Sequence, residues 1–403
     1  MIMGEKAQKE TSILSLSMFV LVLTHFLTHC TQRIHSVLFP IWRKPEELNL
    51  TLKQMGVIAS LPSLLSTLLS IPVGLLSDKI GAKKMMLMSM SVLATAVALA
   101  SQANSAATII VAVSLISLNS TIYHPPSYSL NSKLFPPEDI PKAMGIHAVG
   151  GTLGMSIGPI SVGILMGTLA FGWRQVYLFW LIPIVLGIIS VIFLKEEYLR
   201  ERSTEERVEE KESGVKEGAR LLSLSLIIFL AFIGIRWLGQ GLISTFMSIY
   251  LVDALKLSEN LAAIVIGSVP LMGIFATPLG GFLAAKFGEK RWILTAYATA
   301  YTFFSLAVLV PHSLIFVAFY LAYGFFNIAG MPANSALIAK LSSAERRGLS
   351  YSLFFLSGNL LGSFSPILAA YLAESFGLYG NFVIGLVVLF SSLLLFKFGV
   401  KVD

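Results

Sequence analysis

His25, His29 and Arg33 recur at every fourth position of an otherwise apolar stretch, a spacing that places all three on one stripe of an α-helix. Imidazole titrates near neutral pH and can relay a proton. Guanidinium stays charged and holds a carboxylate, phosphate or phosphonate as a planar fork. Shifted by 207 residues the stripe returns in milder form, with His29 falling on Arg236 and Arg33 on Gln240. His35, His124 and His147 complete the ionisable groups deep in apolar segments, beside neutral polar residues such as Gln32, Tyr123, Tyr323, Asn327 and Asn334. All 22 acidic residues, Asp78, Asp253 and Glu374 included, fall in tails, loops or segment ends, so no deep carboxylate answers the arginines. The pattern predicts a cationic cavity that takes a small anionic or amphipathic guest. Its expected binding residues are His29, Arg33, Tyr123, His124, Arg236, Gln240, Asn327 and Asn334. His25, His29, His124 and His147 are the candidates for proton coupling. The competing roles are bonding of the arginines to backbone carbonyls or snorkelling, and simple packing for a single histidine such as His147.

The elements that carry these residues must span a membrane. Of the 403 residues 55% are apolar and only 13% charged, against about a quarter charged in soluble domains. A crossing needs roughly 20 apolar residues, and irregular backbone cannot face lipid. Runs at 12–41, 52–77, 84–103, 106–131, 142–168, 174–194, 220–251, 260–285, 291–310, 313–340, 348–373 and 379–397 therefore predict an all-α membrane protein of twelve transmembrane helices. Most of the 29 Lys and Arg fall in alternate loops, which by the positive-inside tendency sets both termini in the cytoplasm of a cell-membrane protein. The net charge of +7 sits in those loops, so nucleic acid is not expected as a partner. The single cysteine, Cys30, excludes an intramolecular disulfide, and neither a metal nor a cofactor is expected. A charge-rich run divides the chain into 1–194, a cytoplasmic linker at 195–219, and 220–403, each flanking part holding six spans.

The same shift that relates the stripes pairs scarce residues over a long stretch. Gly74 falls on Gly281, Gly81 on Gly288, Lys83 on Lys290, Pro125 on Pro332, Gly151 on Gly358 and Pro159 on Pro366. Parallel repeats of six helices, related by an axis along the membrane normal, are a common plan of transporters, with the substrate site at the midplane between them.

The turn Gly74-Leu75-Leu76-Ser77-Asp78-Lys79-Ile80-Gly81-Ala82-Lys83-Lys84, with its weaker copy from Gly281 to Arg291, resembles the cytoplasmic-loop signature of the major facilitator superfamily. The resemblance covers essentially the whole chain. It implies the major facilitator fold, alternating access, and a gating role for Gly74, Asp78, Gly81, Lys83, Gly281 and Gly288, a role that Ala285 in the second copy cannot share with Asp78. Gly150, Gly154, Gly158 and Pro159 lie on a run similar to the glycine-proline motif of the superfamily's exporters; close helix packing is their other role. Together with Tyr123-His124-Pro125-Pro126 the run resembles the fosmidomycin-resistance exporter subgroup, which favours efflux, while the fourth-span arginine of many proton-coupled drug exporters is missing. The expectation is a monomeric secondary transporter, an antiporter or exporter of small organic anions or amphipathic drugs. Alternatives are a lipid or lysophospholipid flippase on the same fold, or an importer or uniporter of an anionic metabolite. An intramembrane enzyme is disfavoured, for the chain has no His-Glu-x-x-His, Gly-x-Ser-x-Gly or phosphate-loop motif.

Overall fold

The computed structural model describes residues 15–135, 139–194, 223–310, 312–342 and 347–401. The expected linker at 195–219 and the two chain ends lie outside the described residues, as does the side chain of Asp78. Every regular element among the described residues is a helix. The first group comprises α1 (Leu16–Gln32), α2 (Ile34–Trp42), α3 (Leu52–Ile80), α4 (Ala82–Ser101), α5 (Ala106–Leu134), α6 (Ile140–Thr168) and α7 (Trp173–Ile192). The second comprises α8 (Leu224–Ser244), α9 (Met247–Asp253), α10 (Glu259–Leu271), α11 (Gly273–Phe287), α12 (Glu289–Leu309), α13 (Ser313–Ala329), α14 (Met331–Leu341) and α15 (Arg347–Gly399).

Among the described residues, ten helical segments are long and apolar enough to cross a membrane. The apolar run at 12–41 is not one of them; its described residues form α1 and α2 with Arg33 between. The last two expected runs form a single segment: α15 contains 53 residues and kinks at Gly377 (φ 72°, ψ 171°), a backbone conformation that glycine adopts without a Cβ clash. Large apolar side chains such as Leu68, Ile71, Ile182, Leu314 and Phe398 point outward, as a lipid-facing surface requires.

The helices begin where their sequences provide a cap. The side chains of Ser15, Thr51, Ser105, Ser223 and Ser258 each accept a hydrogen bond from an amide of the first turn. Gly81 (φ 91°) ends α3 and opens α4, and Gly288 (φ 87°) does the same between α11 and α12. Just beyond these turns, Lys83 Nζ donates to Leu194 O at 2.6 Å and Lys290 Nζ donates to Val400 O at 2.5 Å. The two copies of the turn thus share backbone conformation and tie down the end of the last helix in their own group.

Two large apolar cores result, one centred on α1–α7 and one built from residues 226–400, with a small third cluster around Val73, Met85 and Ile122. Between the groups, α6 packs on α10 and α3 on α15, and α2 touches α9 and α10. Small residues make the seams close. A Cβ on Gly267 would fall 2.7 Å from Ser156 O, one on Gly56 would fall 2.8 Å from Pro366 O, and Gly163 and Gly167 leave room for Asn260 and Ile264. Ser63 Oγ meets Ser363 Oγ at 2.8 Å, Ser60 Oγ accepts from Ile367 N at 3.1 Å, and Ser248 Oγ donates to Ser36 O at 2.6 Å.

All three ion pairs that join the groups, among the described residues, lie at one end of the bundle. They are Arg43 with Asp253, Lys44 with Glu259 at 2.6 Å, and Lys53 with Glu374 at 2.7 Å. At the end that carries Gly81 and Gly288 the ion pairs among the described residues, Lys142 with Asp139 and Lys340 with Glu289, stay within a group. The structure is clamped at the first end. At the second, a methyl on Gly74 would meet nothing within 4 Å and one on Gly281 only Pro332 at 4.0 Å, so neither glycine makes a close helix contact in this structure.

Candidate functional site

The first-group part of the site depends on how closely α1 lies against α6. Gly150, Gly154 and Gly158 turn one face of α6 to α1, where Cβ atoms would collide with backbone of Val22, Phe26 and Cys30. A Cβ on the neighbouring Gly151 would sit 2.6 Å from His25 Cε1 and 3.1 Å from His29 Cδ2. The glycines therefore make the space that the two α1 imidazoles occupy. His124 from α5 and His147 from α6 enter the same space. Ring centroids of His25 and His147 stack at 4.1 Å, His25 and His29 lie 4.8 Å apart, and His124 lies 5.3 Å from His25 and 5.4 Å from His29. The four residues expected as proton-coupling candidates thus form one cluster, although sequence spacing alone relates only His25 to His29.

Hydrogen bonds fix the cluster. A carbonyl oxygen only accepts, so His25 Nδ1–H donates to His147 O at 2.7 Å, and His29 Nδ1–H donates to Gln32 Oε1 at 2.9 Å. His124 Nδ1 and His147 Nδ1 are buried without a partner. Tyr123 is fully buried and its hydroxyl is committed: it donates to Leu21 O at 2.9 Å and lies 3.0 Å from Thr24 Oγ1 and 3.3 Å from His147 Nε2. This places Tyr123 behind the histidines, where it orients His147.

The two arginines have different surroundings. Arg33 sits at the break between α1 and α2, is accessible to solvent, and lies within electrostatic reach of Tyr320 on α13. Arg236 on α8 is buried. Its guanidinium carbon is 4.1 Å from the centre of the Tyr297 ring, one terminal nitrogen donates to Asn327 Oδ1 at 3.2 Å, and Nε has no partner. Tyr301 stacks on Tyr297, whose hydroxyl accepts from Asn334 Nδ2 at 2.5 Å, and Tyr323 is also within reach of the charge. Gln240, one turn along α8, is half-buried. Neither arginine forms an ion pair among the described residues.

Sequence reasoning missed the tyrosines of α12. Their i, i+4 spacing, Tyr297 and Tyr301, was a usable signal for an aromatic wall around a buried cation. It missed Tyr320 too, and the clamp residues, whose partners lie more than two hundred positions away and leave no local trace.

The family model of the Major Facilitator Superfamily matches residues 21–237 and 224–403. The chain belongs to that superfamily. It is a membrane transporter rather than an enzyme. Among curated relatives, a probable nitrate transporter, NarT, of Staphylococcus epidermidis is 23% identical over 337 residues, covering 82% of this chain and 83% of the relative. An MFS-type transporter of Methanocaldococcus jannaschii is 32% identical over 145 residues, covering 36% and 37% of the two chains. Among solved structures, a bacterial homolog of the human lysosomal transporter Spinster, in an inward-facing and occupied conformation, superposes with a TM-score of 0.80 at 16% identity, covering 95% of this chain and 96% of that one.

Proposed function

We propose that this major facilitator carries a small anion by alternating access, gripping it between Arg33 of the first group and Arg236 of the second. One observation carries the reading: the guanidinium of Arg236, buried in the second group, and that of Arg33, exposed at the break between α1 and α2, have no carboxylate paired to either among the described residues. An ionisable group kept at such cost inside a membrane protein is a functional candidate by default, and an unneutralised cation calls for an anion. His29, His124, Gln240, Asn327 and Asn334 complete the proposed wall. The likeness to NarT, a probable nitrate transporter, supports an oxyanion as substrate. Export is the proposed direction, supported by the resemblance of the Tyr123–Pro126 and Gly150–Pro159 runs to the fosmidomycin-resistance subgroup. A coupled proton would travel through the histidine cluster.

In the same proposal the chain makes twelve crossings as two six-helix repeats, 1–194 and 220–403, with both termini and the 195–219 linker in the cytoplasm. The kink at Gly377, the matched turns at Gly81 and Gly288 and the matched lysine bonds support it. Asp78 is proposed as the brace of the cytoplasmic gate.

The test is anion binding and flux with purified protein, first in detergent and then in liposomes, over nitrate, small carboxylates, phosphonates and lysolipids. Arg33→Gln and Arg236→Gln should each weaken binding by about 1.5–3 kcal/mol, the worth of a charge-assisted hydrogen bond. Arg33→Lys should recover only part of it, since a point charge does not copy the fork. Undiminished transport of a cationic substrate by the double glutamine variant would end the proposal.

A further inference from the structure

The histidine cluster does more than line the space between the groups. One ligand atom from each of His25, His29 and His124 can be chosen so that all three lie within 4.8 Å of one another. We propose that these three imidazoles form a binding site for one borderline divalent transition-metal ion, of the zinc, nickel, cobalt or copper(II) class, a site that the sequence alone gave no reason to expect.

The tautomers are already set for ligation. His25 and His29 each spend Nδ1–H on an oxygen acceptor, His147 O and Gln32 Oε1, which leaves each Nε2 with a free lone pair. A second hydrogen bond of this kind is what orients histidines around metals and raises their basicity. His124 brings the third imidazole, and its Nδ1 is buried with no hydrogen-bond partner, an unmet demand in a place where polar groups are normally satisfied. Three neutral nitrogen ligands suit the borderline metals. Magnesium and calcium need oxygen, and no carboxylate stands among the described residues of the cluster.

The spacing fits an open site that closes on its ion. Around a tetrahedral metal with bonds of about 2.0–2.1 Å, ligand nitrogens stand roughly 3.3 Å apart. Moving from the observed spread to that triangle takes each imidazole inward by about 1 Å, within the reach of side-chain torsions. The glycine face of α6 is what makes a compact cluster possible, since any side chain at Gly151 would occupy the position of His25. His147 backs the site by accepting from His25 and stacking on its ring. Three protein ligands leave a fourth position for water or an anion. Arg33 lies one helical turn beyond His29, close enough for their charges to interact, so a dication here is stabilised when an anion takes that position. The inference stands on the histidine geometry and does not need the two-arginine anion grip.

The experiment uses the full chain, purified in detergent with a histidine-free tag, stripped with EDTA and dialysed against buffered zinc. Metal per chain is measured by elemental analysis, and cobalt(II) is then substituted to read nitrogen ligation from its visible spectrum. The expected result is roughly one zinc per chain and a four-coordinate cobalt spectrum. His29→Ala and His124→Ala should each weaken zinc binding at least tenfold, while His312→Ala, a change in an exposed loop, should leave it unchanged. Thermal unfolding of the metal-free variants checks their fold. Should an alanine variant fail to fold, His29→Gln and His124→Asn, which keep bulk and a polar tip, replace it. Zinc retained equally by a His25→Ala, His29→Ala, His124→Ala triple variant, no zinc retained by the unmodified chain, or a six-coordinate cobalt spectrum would each overturn the proposal.

Discussion

Breaking the three ion pairs at the clamped end should shift the protein toward the conformation that is open there. The perturbation is Asp253→Asn, Glu259→Gln and Glu374→Gln together, which removes each carboxylate while keeping its shape. The side chains of the three pairs are 38% and 48%, 41% and 30%, and 53% and 34% exposed, so solvent screening holds each to about 0.2–1 kcal/mol. A combined effect of about 1.5 kcal/mol corresponds to roughly a tenfold change in the ratio of the two conformations. Nitroxide labels at Lys84→Cys and Lys286→Cys, two exposed positions at the opposite end, read that ratio as a distance distribution by electron spin resonance. The triple variant should show a shorter distance gaining population, as that end closes. High salt should move the unmodified clamp the same way, because the screening length falls from about 10 Å at 0.1 M to about 3 Å at 1 M, and should barely move the variant. Neutral pH changes should not. The hydrogen bond that the Lys44 ammonium donates to Glu259 holds the ammonium above its ordinary value of 10.5, so the contribution of this pair from Lys44 is complete below 10.5 and is lost only as pH rises through the raised value. An unchanged distribution in the variant at low ionic strength would refute the clamp.

Three further outcomes are expected. Gly154→Ala and Gly158→Ala should lower thermal stability by about 1–3 kcal/mol each, the cost of overpacking, whereas Gly74→Ala should hold or raise it by helix propensity while slowing turnover, because the end that carries it must close in the alternate state. Asp78→Ala should slow flux in liposomes with substrate affinity largely kept; loss of binding with flux unaltered would contradict a gating role. A reporter fused after Asp403 or inserted between Glu205 and Glu212 should read cytoplasmic, and an external signal from either would overturn the orientation.

The helical class and the membrane setting were legible because the period and length of apolar runs are local properties. So were the glycine turns, which rest on one residue's freedom at Gly81 and Gly288. The split between Arg33 and Arg236 was not legible. Both read as buried cations in an apolar run, and only tertiary packing decides that one is exposed at the break between α1 and α2 while tyrosines of α12 wrap the other. The histidine cluster was half legible: His25 and His29 share a stripe, but meeting His124 and His147 depends on which face of α6 is glycine and how close α1 can come to it.

Cys30 is fully buried, against the backbone of Gly158 where no side chain intervenes. If the two groups rock as rigid bodies, α1 and α6 travel together and this thiol stays shielded throughout the cycle. A maleimide added to the folded protein should then find only cysteines that were put there, and no cysteine-free background is required. Reaction at Cys30 would time a different event, the parting of α1 from α6, which makes the chain's own thiol a sentinel for loss of the bundle rather than for transport.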